Sequence, residues 1–263
     1  MTEIEALILG IVQGLTEFLP VSSSGHLELG NFFLGVNTQN NLLFAIIVHG
    51  ATALSTLVIF RNEIGEILKG LLKFEWNEPT IYASKILLSM IPVGIVGVFF
   101  ESEIESLFSG NVVFVAFMLI ITGVLLAITG FIKSSEGEVT YGRAFIIGIA
   151  QAIAILPGIS RSGATISTAL ITGVDKSKAT RFSFLMVLIP IIGAMLLKVK
   201  ALLENPGSSE SVGFLPLVIG FLAAFVSGLV ACNWMIRIVK KGKLIYFALY
   251  CFILATIVLI AYW

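Results

Sequence analysis

Six stretches of this chain, at about 41–60, 82–100, 111–132, 182–202, 214–236 and 244–263, are apolar with few charges, and each approaches the ~20 residues a helix needs to cross the hydrocarbon core of a bilayer. In lipid a segment must satisfy its own backbone polar groups, so such stretches fold as helices and not as open sheet. The whole chain agrees. Of its 263 residues, 57% are hydrophobic and 12% charged, where soluble domains carry about 25% charged residues. The sequence predicts an all-α polytopic membrane protein with six transmembrane helices.

Two further apolar regions, 4–36 and 144–174, do not read as spans. Pro20 and Pro157, each followed closely by Ser and Gly, divide them into short pieces, because a proline inside a helix removes a hydrogen bond and clashes with the preceding turn. Irregular backbone at membrane depth is tolerated only where protein or a water-filled cavity satisfies it. Both regions therefore read as re-entrant helix-loop-helix hairpins.

The hairpins resemble each other. At a shift of 138 residues Gln13 aligns with Gln151, Ser22 with Ser160, Ser24 with Ser162 and Gly25 with Gly163, and 11 of 39 ungapped positions are identical, where this composition gives roughly 3 by chance. The reading is an internal duplication, with repeat one over about 1–132 and repeat two over about 141–263 of a single membrane domain. Three crossings separate the hairpins, an odd number that turns the second copy upside down. That makes an inverted-topology repeat, whose sites lie near the midplane where the hairpins meet.

Charge sets orientation and excludes some partners. Placing 61–85, 133–143, 175–181 and 237–243 inside puts 13 of the 16 Lys and Arg there, with Lys198 and Lys200 outside and Arg161 in a hairpin; cytoplasmic loops carry that excess. Both termini and the first hairpin then face outward, and the second hairpin enters from the cytoplasm. The acidic loop of Glu101, Glu103 and Glu105 reads as an external solvated face. Net charge is zero and no basic block tracks a phosphate backbone, so nucleic acid is excluded as a partner. Residues 61–74 place Ile64, Ile67, Leu68, Leu71 and Leu72 on one face, as an interfacial helix does. Cys232 and Cys251 stand alone in apolar stretches without metal or disulfide spacing. No Lys or Arg precedes Arg61, so no cleavable signal peptide is expected.

The candidate chemistry sits in Gln13-Gly-Leu-Thr-Glu17-Phe-Leu-Pro20-Val-Ser22-Ser23-Ser24-Gly25-His26 and Pro157-Gly-Ile-Ser160-Arg161-Ser162-Gly163-Ala164-Thr165. A charge at the bilayer centre costs on the order of 3 kcal/mol, so Glu17 and Arg161 need partners or water, expected in a shared cavity. Each Ser-rich turn precedes a short helix, whose free N–H groups and dipole favour an anion. Ser22, Ser24, Gly25, Ser160, Ser162, Gly163 and Thr165 are therefore candidates to bind phosphate. Arg161 joins them, because its planar fork grips two phosphate oxygens at once. Ser23 aligns with Arg161, so one hairpin offers a nucleophile and the other a clamp. Blander readings stand beside these: helix caps for the serines, a packing pair for Gln13 and Glu17, and a core imidazole for His26. His49, in the first spanning stretch, is open between a packing role and the site.

Both segments resemble the two signature motifs of the undecaprenyl-diphosphatase family, associated with bacitracin resistance, and the likeness runs the length of the chain. It implies hydrolysis of undecaprenyl diphosphate to the monophosphate lipid carrier plus inorganic phosphate, for cell-wall synthesis, at a plasma-membrane site open to the outer face. It also implies a divalent cation, Mg²⁺ or Ca²⁺. The family's acidic motif falls on Gln13 and Glu17, the two candidate metal ligands; the first is an amide here, leaving one carboxylate. The catalytic residues implied are Ser23, His26, Glu17 and Arg161, with Ser23 attacking phosphorus and His26 shuttling protons, or with His26 itself as nucleophile. The expected partners are a polyprenyl diphosphate and membrane lipids, and a homo-oligomer is left open. The rival class is a polyprenyl-phosphate flippase, since inverted repeats with broken helices are transporter architecture.

Overall fold

The structure is a computed structural model that describes residues 1–35, 42–100, 103, 111–132, 135–204 and 212–262. Its described residues form eleven helices: α1 (Glu3–Phe18), α2 (Ser23–Leu34), α3 (Leu42–Ile59), α4 (Arg61–Leu71), α5 (Glu78–Phe99), α6 (Val112–Thr129), α7 (Tyr141–Ile153), α8 (Arg161–Ile171), α9 (Lys176–Glu204), α10 (Phe214–Lys240) and α11 (Ile245–Tyr262). No strand is found among them. Of the predicted acidic loop, Glu101 and Glu105 lie outside the described residues.

The chain is a multi-pass membrane protein. Helices α5, α6, α9, α10 and α11 are long and apolar enough to cross a bilayer, and α3 makes a sixth if it is taken with α4, from which it is bent by 76°. Leu222, Val226 and Val230 of α10 repeat every fourth residue and are 53%, 57% and 61% exposed. Water would penalise such a stripe, whereas lipid accepts it. The bend before α4 turns the amphipathic 61–71 segment away from α3, the direction an interfacial helix needs. Helix α9 starts six residues before the predicted 182, at Lys176. Asp175 explains this: its Oδ1 accepts from the N–H groups of Ser177 and Lys178, at 2.9 and 3.1 Å, and so caps a polar first turn that hydropathy alone does not reveal.

Both predicted helix-loop-helix pairs form. Helix α1 stops at Leu19, before Pro20, and packs on α2; α7 stops at Ala154 and packs on α8. Their docking crosses the molecule. Helix α1 packs on α10 and α7 on α5, and in each case the partner is the middle of the three long helices that follow the other hairpin. Small residues make the close approach possible, as at many membrane helix contacts. A Cβ on Gly10 would lie 2.6 Å from the Gly220 carbonyl oxygen, and one on Gly14 would lie 2.5 Å from that of Ala224. Gly148 of α7 meets Ser89 of α5 in the same manner.

Candidate active site

Glu17 is where the two hairpins join. Gln13 and Glu17 are one turn apart on α1, and Gln13 Nε2 donates to Glu17 Oε2 at 2.9 Å. The chain then leaves the helix at Pro20 and re-enters one at Ser22, which has φ of 69°. A non-glycine residue held there stores strain of about 1–3 kcal/mol. The turn places Ser22 as the cap of α2, its Oγ accepting from Gly25 N–H at 3.2 Å. Ser23, the next residue, is freed from capping, and its Oγ donates to Glu17 Oε2 at 2.6 Å.

The second hairpin repeats the turn and changes its product. Gly158, at φ of 98°, turns the chain, and Ser160 Oγ accepts from Gly163 N–H at 3.0 Å to cap α8. Arg161 then occupies the first helical position, and its Nη2 donates to Glu17 Oε1 at 2.7 Å. The tips interlock. A Cβ on Gly25 would lie 3.2 Å from Gly158 Cα, and one on Gly163 would lie 3.3 Å from Pro20 Cβ. Ser162 Oγ donates across the junction to the Leu19 carbonyl at 3.4 Å.

Both Glu17 oxygens are thus engaged. The Glu17 side chain is 6% exposed and that of Arg161 25%, so the anion is buried against a cation that still reaches the surface. This satisfies the expected need for partners: removing either would strand the other charge. A cavity opens at the pair, lined by Glu17, Arg161 and Ser162 together with Thr56 of α3 and Ser183 of α9. Phe18, Phe184, Val187 and Ile191 form its apolar side.

The other predicted residues divide between this centre and the turns around it. The hydroxyls of Ser22 and Ser24 lie 3.3 Å apart and those of Ser160 and Ser162 lie 3.2 Å apart. Gly25 and Gly163 spend their N–H groups on the caps. Thr165, fully buried, donates to the Arg161 carbonyl at 2.9 Å, so its hydroxyl is satisfied within α8. His26 faces elsewhere. Its Nδ1 lies 2.8 Å from the Ser22 carbonyl, which only accepts, so Nδ1 carries the proton. Its Nε2 lies 2.8 Å from Tyr250 Oη of α11, with the rings stacked. Among the described residues no hydrogen bond joins His26 to Ser23 or Glu17. Tyr250 was not foreseen, because nothing local marks a residue 224 positions away. His49 anchors Nδ1 on the Ala45 carbonyl at 2.8 Å.

A hard divalent cation takes oxygen ligands, and Mg²⁺ in particular is held by one or two carboxylates plus substrate phosphates. The described residues contain no group of three or more His, Cys, Asp or Glu able to hold a metal. They do offer the Glu17 carboxylate and, beside it, Gln13 Oε1, a buried acceptor with no partner. That donor set fits a cation shared with phosphate oxygens, not one caged by protein alone.

Comparison with known proteins gives a consistent result. The family model described as bacitracin resistance protein BacA matches residues 6–257. An undecaprenyl-diphosphatase of Christiangramia forsetii is 56% identical over 251 residues, covering 95% of this chain and 94% of that one. One from Bacteroides fragilis is 52% identical over 257 residues, 97% of both chains. A more distant protein of the same name, from Methanobrevibacter smithii, is 38% identical over 274 residues, 98% of this chain and 97% of that one.

Proposed function

Because this chain belongs to the bacitracin resistance protein BacA family, we propose that it hydrolyses undecaprenyl diphosphate with Ser23, Glu17 and Arg161 as the reacting centre. The products are undecaprenyl phosphate and inorganic phosphate. One observation carries this reading: Glu17 accepts from Ser23 of one hairpin and from Arg161 of the other, and Glu17 and Arg161 line a common cavity.

The geometry assigns the steps. The Ser23 hydroxyl already donates to Glu17 Oε2, so Glu17 takes that proton as Oγ attacks the terminal phosphorus. The bond from that phosphorus to the bridging oxygen breaks, and the lipid monophosphate leaves with the electron pair. Water then hydrolyses the phosphoserine. Phosphoryl transfer asks mainly for positioning and charge neutralisation. Arg161 supplies both: one N–H is spent on Glu17, and among the described residues no hydrogen bond engages the other donors of its fork, which can meet phosphate oxygens. His26, whose Nε2 now meets the Tyr250 hydroxyl, is assigned to shuttle the protons of the hydrolysing water, a role that requires it to leave that partner. Glu17 and Gln13 would hold a divalent cation, which supplies further neutralisation of phosphate charge when bound.

The excess of Lys and Arg in the loops assigned inside supports a plasma-membrane protein with both termini and the first hairpin outward, so that the site serves carrier recycling at the outer face. The exchanged docking of α1 on α10 and α7 on α5 supports the inverted repeat. It also favours a second reading, a flippase for the monophosphate, since broken helices between inverted repeats are how transporters are built.

Phosphate release from undecaprenyl diphosphate in detergent micelles separates the two readings, because flipping has no meaning without a bilayer. Release by the wild type and its loss by roughly a thousandfold or more in Ser23→Ala is the expected outcome. A Ser23→Ala protein that keeps the normal rate removes the nucleophile assignment. An acid-labile trapped intermediate transfers the role to His26.

A further inference from the structure

Most hydroxyls beyond the first turn of these helices turn back on their own chain. Thr16 donates to Val12 O, Thr56 to Thr52 O, Thr165 to Arg161 O, Thr180 to Lys176 O and Thr256 to Phe252 O. The reason is general: the carbonyl one turn earlier is the nearest acceptor, and lipid offers none. Ser183 of α9 departs from this. It is 1% exposed and its Oγ has no hydrogen-bond partner among the described residues, although Ala179 offers it a carbonyl of the same kind. A buried hydroxyl left unpaired costs free energy, and it persists most readily where something else completes it.

Its position says what that is. Ser183 lines the cavity that holds Glu17, Arg161 and Ser162. Val187 and Ile191 follow it by one and two turns on the same face of α9 and line the apolar side. The helix therefore presents a free hydroxyl beside the ion pair and hydrocarbon beyond it, the order of groups in a lipid with a phosphate head. Resting on the phosphatase reading above, we propose that Ser183 Oγ donates to a phosphate oxygen of the substrate. This makes α9 a third wall of the headgroup site, supplied from outside both hairpins.

The test compares two buried, unpartnered serines. Ser167 of α8 is as buried as Ser183 and equally unpaired, but it does not line the cavity. Phosphate release in micelles and thermal unfolding are measured for wild type, Ser183→Ala, Ser183→Thr and Ser167→Ala. Ser183→Ala is expected to raise KM by roughly tenfold or more, the loss that follows from removing a hydrogen bond to a charged group, with no fall in the unfolding midpoint. Ser183→Thr keeps the hydroxyl and recovers part of the affinity, and Ser167→Ala keeps the wild-type KM. Unchanged kinetics in Ser183→Ala, an equal rise in Ser167→Ala, or a KM change that tracks a lowered midpoint overturns the proposal. A wild type that releases no phosphate is a separate outcome and removes the enzymatic reading beneath it.

Discussion

The first hairpin and the second close their turns alike: Ser22 and Ser160 each cap a short helix through the N–H of the glycine three residues on, and a second serine hydroxyl lies within 3.3 Å of each cap. The residues assigned to the reaction differ between them. Ser23 stands opposite Arg161, Glu17 opposite Ile155 and His26 opposite Ala164. The hairpins thus share a scaffold but carry complementary chemistry. The first holds a buried carboxylate and a hydroxyl, and the second holds the cation that makes that carboxylate tolerable. Neither half has a charge-balanced site by itself, so the ion pair proposed to serve the reaction also ties the two halves together.

Three measurements press on this division, beginning with the strongest. Glu17→Gln removes the base for Ser23 and leaves Arg161 facing a neutral amide. Phosphate release should fall by roughly a thousandfold, and thermal stability should drop because a partly buried guanidinium loses its partner. A variant with near-normal turnover would mean that the hairpins do not share one centre. Arg161→Lys keeps the charge but discards the fork, so it can hold Glu17 or the phosphates but not both in the same plane. We expect a loss of roughly a hundredfold in kcat/KM with nearly unchanged stability. Full activity would reduce the clamp to a point charge.

The smallest effect concerns the shared scaffold. Ser160→Ala should cost about 1 kcal/mol in chemical or thermal unfolding, the usual loss for a helix cap. Ser22→Gly removes the same kind of cap but relieves a backbone at φ of 69°, which glycine adopts freely. It should therefore cost less than Ser160→Ala. The opposite order would show that the strained turn of the first hairpin is held by more than its cap.

The fold was largely legible because membrane burial writes itself into local pattern. Pro20 and Pro157 mark both breaks, and five of the long helices are visible as apolar runs. The early start of α9 was not, since it depends on one cap, Asp175, ahead of a charged turn. Within the site, Glu17 and Arg161 stand out because charge at membrane depth requires a reason, and Ser23 stands out by its place opposite Arg161 in the repeat and by the family resemblance. Ser183 carried no such signal, being one small residue in an apolar helix, and neither did Tyr250.

By itself, then, the sequence determined that this chain lives in a bilayer, and it pointed to two broken segments rich in polar residues. Both follow from transfer costs and backbone valence, which act residue by residue. Only the tertiary structure decided which groups meet. Glu17 finds Arg161 across 144 positions because glycine faces let α1 and α7 seat closely against their partner helices and bring the two tips together. The same packing turns His26 to Tyr250 and away from Ser23. Such pairings depend on the angle and depth at which helices pack, and no local propensity encodes either.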